Sequence, residues 1–316
     1  MEISQVKDLA DRLKANIGKV VNGKEEVTDR VLTALFASGH LLLEDMPGTG
    51  KTTLAKALAK SIEADFTRVQ FTPDLLPSDL TGVNFFSQKE GDFIFRKGPL
   101  FTNILLADEI NRTTPRTQSS LLECMEEGQV SVDGATYKLG KPFFVIATQN
   151  PIETQGTFPL PEAQLDRFFM KLSMGYPSKE AEEAMLGRFQ QENPLDSLQP
   201  AATKEEVVEA REAIKQVRVS DTTRGYIVDL ARASRTFDSV RLGLSPRGAL
   251  ALMRGAQVRA AFDGRDFVTP DDVKNIAPYI MAHRILVRGG SALRDADAAP
   301  KALQGILAAV PVPVEK

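Results

Sequence analysis

The chain has 316 residues, 42% of them hydrophobic and 26% charged, an ordinary globular composition long enough for two domains. Its 39 Lys and Arg against 42 Asp and Glu leave a net charge of −3, which argues against a surface built to neutralise duplex nucleic acid. The single cysteine, Cys124, excludes an intramolecular disulfide, and no apolar run approaches the roughly 20 residues of a membrane span, so a cytoplasmic location is expected.

The N-terminal stretch to about Ile17 alternates charged and apolar residues as a helix does, and lacks the basic-then-apolar order of a signal peptide. Gly39 to Leu43 reads as a short buried strand, and Lys51 to Ala59 as a helix. Between them lies LEDMPGTGKTT, a strand–turn–helix phosphate loop. Gly48 and Gly50 let backbone N–H groups turn inward, beside Pro47 and Thr49. The helix N-terminus adds its positive dipole end. Lys51 reaches the β- and γ-phosphates, and the hydroxyl of Thr52, ahead of Thr53, can ligate Mg2+. Asp45 stands where the usual pattern has its first glycine. At the exit of the strand its backbone is expected to matter more than its side chain.

Further strands are expected near Phe66–Gln70, Ile104–Ala107 and Phe168–Leu172, and another within Pro142–Pro151. The apolar run ILLA ends in Asp108 and Glu109, at the sheet edge where open α/β folds bind ligands. Asp108 suits a Mg2+ site and Glu109 suits polarisation of the attacking water. The run FFVIATQN ends in Asn150, an amide placed to orient that water. A helix follows the acids, with Pro115 at its start, Leu121, Leu122 and Met125 on one stripe, and Gly128 at its end. Two hairpins interrupt the core, one within residues 80–101 and one within residues 128–140, the latter turning through Asp133-Gly134.

From Pro177 onward the pattern is helical. Thr203 with Glu206 forms a capping box, Thr269-Pro270 starts a helix, and Ser245-Pro246 caps another whose first turn carries Arg247. Residues 192–197 read as a loop and residues 310–314 as an extended tail. His40 and His283 are too isolated for a metal site and read as structural. The organisation is thus an α/β core over residues 1–176 and a helical second domain over residues 177–316.

These segments resemble the AAA+ ATPase superfamily and, within it, the MoxR family. The resemblance runs along almost the whole chain. It is carried by IGKVVNGKEEV, LLLEDMPGTGKTTLAKALA, FTPDLLPSDLTGV, GPLFTNILLADEINRTTPRTQSSLLECMEEGQVSVDG, FFVIATQNPIETQGTFPLPEAQLDRFFMKL and LGLSPRGALAL. It implies a P-loop AAA+ core, a parallel sheet between helices with β-hairpin insertions, followed by an all-α lid. LEDxPG loops are normal in the family, so Asp45 does not count against ATP. Lys51 and Thr52 take the Walker A roles, Asp108 and Glu109 the Walker B roles, and Asn150 that of sensor 1. Arg247 corresponds to sensor 2, and Arg167 to the arginine finger that enters a neighbouring subunit's site, with Arg112 as a second candidate. Val20 and Val21 fall where the adenine pocket is lined. The two hairpins match inserts that face the pore of a ring.

The resemblance also implies ATP and Mg2+ as cofactors and a ring homo-oligomer, usually a hexamer. It further implies a protein client and a partner carrying a von Willebrand factor A-type domain. The activity expected is ATP hydrolysis coupled to chaperone-like remodelling or maturation of that client. Two other readings stay open, an ATP-gated assembly scaffold with little hydrolysis and an MCM-like nucleic-acid motor.

Overall fold

The computed structural model describes residues 1–151, 156–190, 193–288 and 297–313. Glu192, Val314 and residues 152–155, which belong to the loop, tail and motif segments named above, lie outside the described residues.

Two helices, α1 (Ile3–Gly18) and α2 (Glu25–Phe36), precede the sheet. Strand β1 (Leu41–Glu44) runs into the phosphate loop and α3 (Lys51–Ser61). After β2 (Phe66–Gln70) come the short α4 (Pro77–Thr81) and a hairpin of β3 (Gly82–Ser87) and β4 (Asp92–Lys97). Strand β5 (Ile104–Asp108) leads through a 3-10 turn to α5 (Pro115–Glu127) and a second hairpin, β6 (Gln129–Val132) and β7 (Ala135–Lys138). Its turn puts Asp133 and Gly134 at φ +49° and +80°, the left-handed pair that Asp-Gly accommodates. Then follow β8 (Phe144–Gln149), α6 (Glu162–Leu165) and β9 (Met170–Leu172).

The five main strands form one parallel sheet in the order β2-β5-β8-β1-β9. That order explains their composition. β5 and β8 are interior strands with apolar residues on both faces, and β5 is buried along its length. β2 lies at an edge and is only half buried, so it can carry Arg68 and Gln70. Alternation along the strands divides the core in two. Leu41, Leu43, Ile104, Leu106, Phe144 and Ile146 face a large apolar cluster with α1, α2 and α3. Leu42, Leu105, Ala107, Val145 and Ala147 face a smaller cluster with Leu121, Leu122 and Met125 of α5. His40 joins strand to helix: Nδ1 accepts from Val145 N–H at 3.0 Å while Nε2 meets the Met125 carbonyl at 2.8 Å.

The second half comprises α7 (Lys179–Phe189), α8 (Lys204–Ile214), α9 (Asp221–Thr236), α10 (Pro246–Phe262), α11 (Pro270–Met281) and α12 (Ala298–Ala309). It is helical as expected, with one addition. Strands β10 (Val240–Leu242) and β11 (Leu286–Val287) pair antiparallel as a small ribbon too short to show a strand pattern in the sequence. The caps fall where the sequence puts them. The Thr203 hydroxyl accepts from Glu206 N–H at 3.3 Å, and the Glu206 carboxylate accepts from Thr203 N–H at 2.8 Å. Ser245 Oγ accepts from Gly248 N–H at 3.0 Å. Side chains of α8 to α12 join the same large cluster as α1 to α3. No helix among the described residues is long and apolar enough to cross a membrane.

Candidate nucleotide-binding site

The strand order places the ends of β2, β5, β8 and β1 side by side, and everything the site needs leaves from those ends. A cleft of about 360 Å³ opens there. It is lined by Pro47, Gly48, Gly50, Lys51, Thr52 and Thr53 from the loop and the start of α3, Asp108 at the end of β5 with Glu109 just past it, and Asn150 just past β8. Gly48 and Gly50 take φ +83° and +92°, which side-chain-bearing residues rarely adopt, and this turns the loop over the start of α3. Thr49 Oγ1 donates to the Met46 carbonyl at 3.3 Å. Lys51 Nζ donates to the carbonyls of Asp45 and Met46 at 3.0 and 2.9 Å, so its ammonium is docked at the mouth of the loop.

Thr148 organises the acids. Its hydroxyl donates to Asp108 Oδ1 at 2.6 Å and accepts from Glu109 N–H at 2.9 Å, locking the end of β5 to β8. Glu109 itself has φ +56° and ψ +51°, a left-handed residue that is not glycine, which turns its carboxylate into the cleft. That carboxylate accepts from Gln70 Nε2 at 2.9 Å and pairs with Arg112 Nε at 3.1 Å. Arg112 thus pairs with Glu109 of its own chain. Asp108 Oδ2 accepts from Arg68 Nε and Nη2 at 3.0 and 2.6 Å. No group of three or more His, Cys, Asp or Glu among the described residues could enclose a metal. One carboxylate and the Thr52 hydroxyl at the same cleft instead fit Mg2+, which keeps several waters and takes phosphate oxygens as ligands. The cationic guanidinium on Asp108 shows that the carboxylate draws positive charge to that spot.

Three expectations change. Asp45 is more than a backbone position. Its buried carboxylate accepts from Ser173 Oγ at 2.8 Å, Gly175 N–H at 3.0 Å and Met174 N–H, fastening the loop to the segment leaving β9. A carboxylate does this and a glycine cannot. Val20 and Val21 do not line the cleft. They are buried in the main cluster, because α1 ends there and Gly23 abuts Ala181 of α7. Arg247 does not line it either, and Arg167, expected at a neighbouring subunit's site, stands outside it too. Both pair with Glu126 on α5, Arg167 Nη1 at 3.4 Å and Arg247 through Nη2, on an open part of the surface.

The segment carrying Arg167 is held by the second half of the chain. Arg284, buried, donates to Asp166 Oδ1 at 2.7 Å and to the carbonyls of Asp166 and Phe169 at 3.1 Å each, and also to that of Phe168. Ser245 Oγ, the cap of α10, donates to Asp166 Oδ2 at 2.9 Å. One carboxylate thus ties together the neighbours of Arg167 and Arg247. Arg68, Gln70, Thr148 and Arg284 escape the sequence reading. Arg68 and Gln70 left a signal, two long polar side chains two residues apart at the end of a strand, but only the strand order shows what they face. His40 and His283 are structural as expected: burial lowers the first to about 4 and holds the second well below its usual range. Cys124 is buried, and burial pushes its thiol up to about 12, so it stays protonated and inert.

A phosphate loop at β1 with acids on β5 and a helical lid is the arrangement of a AAA ATPase. Residues 40–170 match the family described as ATPases associated with various cellular activities, and residues 232–303 match the AAA lid domain. The chain is 50% identical to the protein YeaC of Bacillus subtilis over 95% of this chain and 94% of that one. It is 37% identical to the chaperone MoxR1 of Mycobacterium tuberculosis, over 88% of this chain and 75% of that one. A solved structure of a candidate ATPase from Cytophaga hutchinsonii superposes with a TM-score of 0.91 at 39% identity, over 99% of this chain and 97% of that one. The chain belongs to the MoxR family of AAA+ ATPases.

Proposed function

We infer that this protein is a Mg2+-dependent ATPase that works as a ring, a hexamer in the family's usual form, and spends each turnover on remodelling or maturing a protein client. One observation carries the reading. The phosphate loop, both acids and Asn150 line a single cleft, while Arg167 and Arg247 stand outside it on Glu126. In this reading Gly48 to Thr53 cradle the phosphates, with Lys51 on the β- and γ-groups. Thr52 and Asp108 would hold Mg2+, which would supply positive charge against the phosphates. Glu109 takes the proton of the attacking water and Asn150 orients that water. Arg247 serves as sensor 2 from the first turn of α10, and Arg167 exchanges Glu126 for a neighbouring subunit's nucleotide, so a lone subunit is incomplete.

The client-gripping element we assign is the β3–β4 hairpin. It exposes Phe85, Phe86 and Phe93, and leans on the second hairpin through the Phe95–Tyr137 stack. A partner with a von Willebrand factor A-type domain follows from the family resemblance, a cytoplasmic setting from the single cysteine and the lack of a long apolar run in the sequence, and a relative named as a chaperone supports the remodelling role.

The test is specific ATPase rate against protein concentration, with particle mass measured on the same samples. A rate that climbs as rings form supports a site completed between subunits. Arg167→Ala should bind ATP without turning it over, and mixing it with Lys51→Ala should restore part of the activity. Mixed rings that stay silent would remove Arg167 from the neighbour's site. A second reading has its own observation: Glu109 is held by Gln70 and Arg112. A flat, near-zero rate across assembly would favour the ATP-gated scaffold.

A further inference from the structure

The acids of β5 are attended by the neighbouring edge strand. Arg68 and Gln70 lie two apart on β2, on one face of it, in register with Leu106 and Asp108. Gln70 reaches Glu109, one residue beyond its register partner, and the longer Arg68 reaches Asp108, two residues beyond its own. The Asp108 carboxylate is fixed: its side chain is 11% exposed, and its other oxygen is taken by Thr148. The guanidinium on it is free to leave, because the Arg68 side chain is 48% exposed and lines the open cleft. Lys51 is parked in the same manner on the carbonyls of Asp45 and Met46. Both cations that line the cleft from the loop and from β2 are thus docked on protein oxygens.

We propose that Arg68 is a stand-in cation: it neutralises Asp108 until Mg2+ enters, and then gives up the carboxylate to the metal. This rests on the reading of the cleft as a Mg2+–ATP site. The physical need is plain. A carboxylate left alone among the phosphates would repel them. With the guanidinium in place, the phosphates meet a neutral pair, and nucleotide can enter before the metal does. Once Mg2+ supplies the charge, Arg68 is redundant at Asp108.

The test is calorimetric titration of ATP into the full-length chain, once in EDTA and once in excess Mg2+. The proteins are the wild type, Arg68→Ala, Asp108→Asn and the double variant. Arg68→Ala changes a half-exposed side chain, so folding is retained. We expect it to weaken metal-free ATP binding about tenfold, an interaction energy typical of contacting charges. With Mg2+ the loss should fall below about threefold, since the metal then does the same work. In the Asp108→Asn background, where there is no charge to neutralise, Arg68→Ala should cost nothing in EDTA. Equal losses with and without Mg2+, in both backgrounds, would make Arg68 a plain phosphate contact and overturn the proposal. No loss anywhere would reduce the pair to a surface salt bridge and overturn it equally. Lys51→Ala separates these failures from failure of the underlying reading. If the wild type takes up ATP and Lys51→Ala does not, the cleft is the nucleotide site and the Arg68 results decide. A wild type that takes up no ATP under either condition removes both.

Discussion

Glu109 sits in a left-handed conformation that ordinary side chains avoid, at a cost of order 1–3 kcal/mol, and the neighbouring strands maintain it. Thr148 holds its amide, while Gln70 and Arg112 hold its carboxylate. Such over-determination keeps the carboxylate in one place for one task. Glu109→Gln keeps the backbone and the shape and removes only the base. It should bind ATP within about threefold of wild type and lose turnover by on the order of 10²–10⁴, the usual worth of a positioned general base. Measuring affinity and single-turnover hydrolysis on the same preparation decides the matter, and near-normal turnover would dismiss Glu109 as the base. At this scale much was legible in the sequence, because the phosphate loop and the acids are local patterns with local meaning. Asp45 was not. Its three acceptor bonds are to residues 173–175, some 130 positions away, and no spacing rule reaches across that gap.

Among elements, the contact to watch is that between Arg284 and the turn bearing Arg167. Arg284 spends a planar fork of donors on the Asp166 carboxylate and on the carbonyls of Asp166, Phe168 and Phe169. Ser245 adds the start of α10 to the same carboxylate. Lysine would keep the positive charge but not the fork. Arg284→Lys should therefore leave ATP affinity intact while turnover falls at least tenfold, with about 2–4 kcal/mol of stability lost from the buried bonds. Affinity, turnover and urea midpoint measured together check this. Stability lost with turnover unchanged would mean that the clamp serves the fold alone. The elements were largely readable: apolar runs gave the central strands, and Ser, Thr and Pro gave the helix starts. The ribbon of β10 and β11 was not, because two or three residues carry no period. Strand order was not either, since parallel neighbours are set by crossovers and not by adjacent sequence.

The whole molecule should respond to acid through its buried imidazoles. Burial lowers His40 to about 4 from an ordinary 6.5, and drives His283 the same way. The unfolded chain binds these protons at a higher pH than the native one does. Stability is therefore complete above about 6.5 and declines as pH falls towards 4. His40 alone contributes up to about 3 kcal/mol to that decline. Urea midpoints at pH 7.5, 6 and 5 should fall in that order, and His40→Gln should flatten the slope. An unchanged slope in that variant would clear His40.

The sheet's larger apolar cluster is shared: α1 to α3 and α8 to α12 close over the same side chains. Opening the subunit between its halves would wet that surface, at roughly 25 cal/mol for each Å² exposed. A lid fastened in this way is a poor lever against its own cleft. In the ring proposed above, the compliant joints then fall between subunits. The stroke would be a tilt of whole rigid bodies against one another, and calorimetry of a single subunit would show one heat-absorption peak rather than two.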